Sequence, residues 1–287
     1  MAIYLYNKAV SFAQRYIREH TEALNTSYER LASGKRINSA KDDPAGFQIC
    51  NRLTSEINGL EQGNRNAQDG ISLAQTVEGA LEEIDYMLQK VRTLAIQSAN
   101  GTNSAADRAA INGEAQQLFE EINRIANDST FAGSKILDGS KGVVSIQVGV
   151  YANQTINFDL STNFSVAEMA KTIGGETETT FAAGFDLTSA DSSQKVLEHV
   201  DKLIEFVSGK RGMLGGVMNR FESTIRYQSN TAENLMESRS RIQDCDYAAE
   251  TANLIQRNIQ LQAATTILSQ ANQQKSIILS LIQGAFG

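Results

Sequence analysis

The sequence predicts a mainly α protein, in which long antiparallel helices form a coiled-coil bundle with one small β-hairpin region. Three observations predict it. One proline occurs in 287 residues, and proline breaks helices. Apolar residues recur every seven positions near both ends, which stripes one helix face for pairing. One internal stretch changes to a period of two, the signature of half-buried strands.

The first helix carries the first stripe: Ile3, Val10, Ile17, Leu24 and Leu31. From Ser33 to Gly46 the chain is rich in glycine, serine and charge, so a loop is expected. Asp43 before Pro44 reads as a helix start, a carboxylate cap followed by proline at the first helical position. A long helix then runs to about Asn100, on Leu53, Ile57, Leu60, Ala67, Ile71, Val77, Leu81, Ile84, Leu88, Val91 and Ala95. Asn100-Gly101 closes it. A further helix spans about Ala105 to Asn127.

Val144, Ile146, Val148 and Val150 alternate with smaller or polar residues, as do Ile156, Phe158 and Leu160. A hairpin turning near Ala152 to Gln154 follows from this. A short helix is expected near Val166 to Ile173, then an irregular Gly-, Thr- and Ser-rich stretch to Asp191. The last-but-one helix starts near Asp191 and reaches about Ile242. Gly209, Gly212, Gly215 and Gly216 each weaken it by up to ~1 kcal/mol against alanine, so propensity alone places a break there. In the final helix Leu254, Leu261, Leu268 and Ile282 keep the seven-residue step, with Lys275 in the gap. Ala264, Ala271 and Ile278 lie three positions on.

Chemistry is sparse. His20 and His199 are the two histidines, and Cys50 and Cys245 the two cysteines. No H-E-x-x-H, paired-cysteine spacing or phosphate-binding glycine loop occurs. Neither an enzyme, a cofactor nor a metal is expected. The net charge of −7 disfavours nucleic acid and anionic membrane as partners. No apolar run reaches transmembrane length, and charged residues interrupt the first 25 positions where a cleaved leader would need an apolar stretch. From Ala248 to Gly287 only Glu250, Arg257 and Lys275 are charged. A solvated helix face normally carries charge, so this helix is expected to touch neighbours on several sides or to line a wet, electrically bland space.

Several long runs resemble one family. They are L-A-S-G-K-R-I-N-S-A-K-D-D-P-A at Leu31 to Ala45, N-A-Q-D-G-I-S-L-A-Q-T-V-E-G-A-L at Asn66 to Leu81, and V-R-T-L-A-I-Q-S-A-N-G-T-N-S at Val91 to Ser104. S-R-I-Q-D-C-D-Y-A at Ser240 to Ala248 and L-Q-A-A-T-T-I-L-S-Q-A-N-Q at Leu261 to Gln273 complete the set. In this order they resemble bacterial flagellin, in a short form without outer domains. The resemblance implies a secreted filament subunit for motility, exported unfolded through the flagellar secretion apparatus. It implies an inner coiled-coil domain from 1–43 and 247–287, a helical core domain from 44–141 and 192–246, and a hairpin with a short variable region at 142–191. It also implies that the helix through the four glycines stays intact. Implied partners are further copies of the chain, an export chaperone, the filament cap, hook-junction proteins and a Toll-like host receptor.

On this resemblance the self-assembly residues are Ile3, Val10, Ile17, Leu24, Leu31, Leu254, Leu261, Leu268, Ile278 and Ile282. The receptor-contact positions are Gln89, Lys90, Leu94 and Glu114, with Lys90 replacing the usual arginine and its bidentate fork. The terminal segments are expected to be largely disordered in the free monomer and to fold on polymerising. Flagellins commonly lack cysteine. In an antiparallel pairing of the ends Cys50 and Cys245 fall at similar height, so a disulfide is one reading and two small unpaired residues the other. A hook–filament junction protein is the alternative function, since its ends are similar.

Overall fold

The computed structural model describes residues 8–174 and 184–285. Its helices are α1 (Lys8–Ser33), α2 (Pro44–Ala99), α3 (Ala105–Asp128), α4 (Val166–Gly174), α5 (Ala190–Gln243) and α6 (Tyr247–Ala285). Four short strands lie between α3 and α4: β1 (Thr130–Phe131), β2 (Ser134–Lys135), β3 (Gly142–Gln147) and β4 (Thr155–Leu160). They form two antiparallel pairs, β1 with β2 and β3 with β4. The chain divides into two compact units, one from residues 1–57 with 233–287 and one from 58–232. The mainly helical fold class, the long antiparallel pairs and the small sheets match the sequence expectation.

The ends of the helices have local causes. The Gly46 amide donates to Asp43 Oδ1 at 3.0 Å, so Asp43 caps α2 and Pro44 opens it, as the sequence indicated. At the other end of α2, Arg108 Nε donates to the Ser98 carbonyl at 2.9 Å and Nη2 to that of Asn100 at 3.1 Å. A cation thus satisfies carbonyls that a helix C-terminus leaves without partners. Ser104 and Asp107 form a reciprocal capping box at the start of α3. The Ser104 hydroxyl and amide hold the Asp107 carboxyl below its usual range. Asp246 caps α6 by accepting from the amides of Ala248 and Ala249.

The core of the 58–232 unit runs along α2 (Leu81, Ile84, Leu88, Val91), α3 (Ala115, Ile122) and α5 (Val200, Leu203, Val207). Leu137, Phe158 and Met169 close it from the strands and α4. In the β3–β4 pair Val144 faces Phe158 and Ile146 faces Ile156. Ile156, Phe158 and Leu160 are buried while the residues between them are exposed, the alternation read from the sequence. Asn153 takes a positive φ of 66° in the connecting turn, within the span expected to turn. The β1–β2 pair, which the sequence reading did not separate, turns through Ala132 and Gly133, both at positive φ.

Residues 175–183, part of the stretch expected to be irregular, lie outside the described residues. Gly184 to Ser189 have no regular secondary structure, yet Phe185 and Leu187 are fully buried. Polar side chains from the helices make this tolerable. Gln116 donates to the Phe185 carbonyl, Asn112 accepts from the Leu187 amide, and Ser98 donates to the Leu187 carbonyl. Buried irregular backbone requires such partners.

Helix α5 is unbroken through Gly209, Gly212, Gly215 and Gly216. The break expected from propensity is overturned, and tertiary packing is the reason. Val207, Leu214 and Phe221 are buried at seven-residue intervals across the stretch. Arg211 lies 3.7 Å from both Glu78 and Asp85 of α2, and Lys210 Nζ donates to Thr162 Oγ1 at 2.8 Å. Burial of such side chains stabilises by about 1.5–3 kcal/mol each, which outweighs the glycine penalty.

Glycines therefore divide by surroundings. A Cβ on Gly63 would overlap the Val148 carbonyl oxygen, which also accepts from Gln228 Nε2. A Cβ on Gly212 would meet nothing within 4 Å. We expect Gly63→Ala to destabilise the protein by about 2 kcal/mol or more and Gly212→Ala to stabilise it by up to about 1 kcal/mol. Urea unfolding of the two variants beside the parent checks both signs.

Candidate assembly surface

In the unit formed by residues 1–57 and 233–287, α1 packs along α6. Of the first stripe, Leu24 is buried and Val10, Ile17 and Leu31 are half-buried. Leu254, Leu261 and Leu268 of the second stripe are half-buried too. Ile3 lies outside the described residues, as do the side chains of Ile278 and Ile282.

Beside Leu24, the buried seam positions are small ones that the sequence reading did not rank first. Ala13, Ser27, Ala264 and Ala271 are exposed by 9% or less. Ala13 and Ser27 lie three positions beyond Val10 and Leu24, as Ala264 and Ala271 lie beyond Leu261 and Leu268. Several larger side chains of both helices lie outside the seam.

Those larger side chains face solvent. Phe12, Tyr16 and Tyr28 on α1, and Ile255, Ile259, Ile267 and Ile277 on α6, are each at least 40% exposed. Phe12, Ala13, Tyr16 and His20 of α1, with Ala264 and Ile267 of α6, line an open groove of about 700 Å³. Phe12, Tyr16 and His20 form a ladder of rings with centroids 5.0 and 5.8 Å apart. Scattered exposed apolar residues are ordinary. A continuous apolar groove beside a row of exposed isoleucines marks an interaction surface.

A compact knot ties the segment after α1 to the segment before α6. The Arg36 amide donates to the Gln243 carbonyl at 2.6 Å, and the Cys245 amide to that of Gly34 at 2.9 Å. Arg36 Nη2 reaches the Ile242 carbonyl at 2.7 Å. Gly34 has a φ of +71°, and a Cβ there would stand 3.0 Å from the Tyr247 hydroxyl oxygen. Arg30 pairs with the buried Glu250 at 3.6 Å. Cys50 is buried, Cys245 is half-buried, and both are free thiols. Burial and the neighbouring Glu250 push the Cys245 thiol above its ordinary value.

Gln89, Lys90, Leu94 and Glu114, which the resemblance assigns to receptor contact, lie in the other unit. Gln89 and Lys90 are exposed on α2. Gln89 Nε2 donates to Asp85 Oδ2 at 3.0 Å, and Lys90 Nζ sits 5.4 Å from the Tyr86 ring centroid. Glu114 is exposed on α3, while Leu94 is half-buried against the core. Among the described residues no group of three or more His, Cys, Asp or Glu side chains could hold a metal ion. No described helix is long and apolar enough to cross a membrane.

Residues 5–142 match the family described as the bacterial flagellin N-terminal helical region, and residues 197–282 its C-terminal helical region. Flagellin A of Vibrio cholerae serotype O1 is 35% identical, over 96% of this chain and 98% of its own length. A flagellin of Halalkalibacterium halodurans is 41% identical over 89% of this chain and 90% of its own. Among solved structures, a protein described as flagellar hook-associated, from Vibrio parahaemolyticus, superposes with a TM-score of 0.57. It covers 71% of this chain and all of that one at 16% identity, a likeness of fold alone. With two regional matches in chain order, near-full-length relatives and an exposed apolar surface on its paired end helices, the chain belongs to the bacterial flagellin family, as a non-enzymatic structural subunit of the extracellular flagellar filament.

Proposed function

We propose that α1 and α6 are the polymerisation elements of this subunit, and that 1–43 with 247–287 make the inner coiled-coil layer of the filament. Residues 44–141 with 192–246 make the next layer, and 142–191 the short variable region. One observation carries the reading. The two helices pack on each other, yet Phe12, Tyr16, Ile255, Ile259 and Ile267 stay outside their seam. Covering them takes other copies of the chain. Contacts of this kind that do not close a ring propagate as a helix.

Assembly through Val10, Ile17, Leu24 and Leu31 on one side and Leu254, Leu261 and Leu268 on the other is supported by their seam positions. Ile3, Ile278 and Ile282 extend the same steps in sequence. A lone pair of helices with this much uncovered apolar surface is marginal in water, which supports folding of the ends on assembly. The uncharged Gln and Asn positions of α6, Gln270 among them, suit the wall of a channel that passing unfolded chains do not adhere to. An export chaperone, cap and hook-junction proteins are the partners the family reading brings. Gln89, Lys90 and Glu114 are exposed, which supports contact with a Toll-like receptor, and Leu94 contributes the apolar edge of that patch. Two free thiols, one buried, support unpaired cysteines in the subunit.

Deleting Ile278 to Gly287 is expected to abolish salt-induced filaments in the electron microscope while the 58–232 unit keeps its helical circular dichroism. Filaments of normal appearance from the truncated chain overturn the assignment. Replacing Ile255 and Ile259 together by glutamine is expected to raise the critical concentration at least tenfold, since burying each isoleucine is worth about 1.5–3 kcal/mol. Sedimentation of polymer against free subunit measures it, and an unchanged value rules this face out as an interface.

A further inference from the structure

The apolar groove contains one histidine. His20 sits in the seam, three positions beyond Ile17, half-buried and stacked on Tyr16 with ring centroids 5.8 Å apart. Gln260, Ala263, Ala264 and Ile267 face it from α6, and Lys8 is the charged residue lining the same groove. Its helical neighbours at three and four positions are Tyr16, Ile17, Ala23 and Leu24, none of them a carboxylate, amine or guanidinium. Glu19 and Glu22, one and two positions away, are exposed and point to other faces of α1. On α6 the charged side chain one turn from Gln260 is Arg257, a cation, and Glu250 is engaged by Arg30. A proton on His20 therefore meets uncharged groups, with no carboxylate of the described residues placed to receive it.

We propose that His20 makes assembly pH-sensitive: a neighbouring copy that closes the groove takes the imidazole out of water and admits it in the neutral form. This rests on the groove being an intersubunit contact, as argued above. Burial without a counter-ion disfavours the charged form, so polymerisation releases a proton when the free subunit carries one. The sign follows from linkage. A group held neutral in the assembled state stabilises that state fully at alkaline pH, and the stabilisation is lost as pH falls. Free imidazole titrates near 6.5, so holding one neutral raises the critical concentration roughly tenfold between pH 8 and pH 5.5. Exposed carboxylates stay ionised across that window.

The test is the critical concentration of the full chain at pH 8 and pH 5.5, for the parent, His20→Gln, His20→Lys and His199→Gln. The parent and His199→Gln are expected to show the roughly tenfold rise. His20→Gln should be flat at the low value, and His20→Lys should be high already at pH 8. A parent that is flat, or a rise that His20→Gln retains, overturns the proposal while leaving the filament reading intact. A parent that forms no polymer at pH 8 overturns the filament reading instead. If His20→Gln cannot assemble, proton release by the seeded, lightly buffered parent at pH 6 decides. Release supports the proposal and its absence defeats it.

Discussion

The apolar side chains of α1 and α6 exceed the room between the two helices. Small residues at Ala13, Ser27, Ala264 and Ala271 share the buried seam with Leu24. The bulky groups Phe12 and Tyr16 of α1 and Ile255, Ile259 and Ile267 of α6 are left facing outward. A helix pair built this way satisfies its backbone and leaves much of its apolar surface wet. Exposed apolar surface of this extent is the kind that other molecules cover.

The unit formed by residues 58–232 obeys the opposite rule. Its large side chains, Phe158, Phe185, Phe221, Leu81 and Leu88, are fully buried, and its irregular segments are anchored by Gln116, Asn112, Ser98 and Gln228. It carries its own core. The difference is one of packing geometry. Three layers of elements, helices with a hairpin and a short helix, enclose side chains that a two-helix pair exposes.

Much of this was legible. The seven-residue steps, the Asp43-Pro44 start of α2, the alternation of Ile156, Phe158 and Leu160, and the family resemblance all lie in short runs of residues. Propensity failed at the four glycines of α5, because the burial of Leu214 and Phe221 and the Arg211 contacts to Glu78 and Asp85 come from residues far away in sequence. The stripes were visible, but which layers bury fully was not. Periodicity marks a face without ranking its positions, and the small residues three places on gave the weaker apolar signal. Arg108 capping the end of α2 was invisible for a similar reason: an arginine in a first helical turn carries no local mark of the carbonyls it will reach.

The sequence by itself determined the helices, their pairing stripes, the hairpin and the family, since each follows from local spacing or from runs of residues met in order. The tertiary structure alone decided that the Gly209–Gly216 stretch stays helical, that Phe185 and Leu187 are buried in an irregular segment, and which apolar groups of α1 and α6 remain outside the seam. Those outcomes depend on which distant atoms compete for the same space, and a linear pattern does not contain distance.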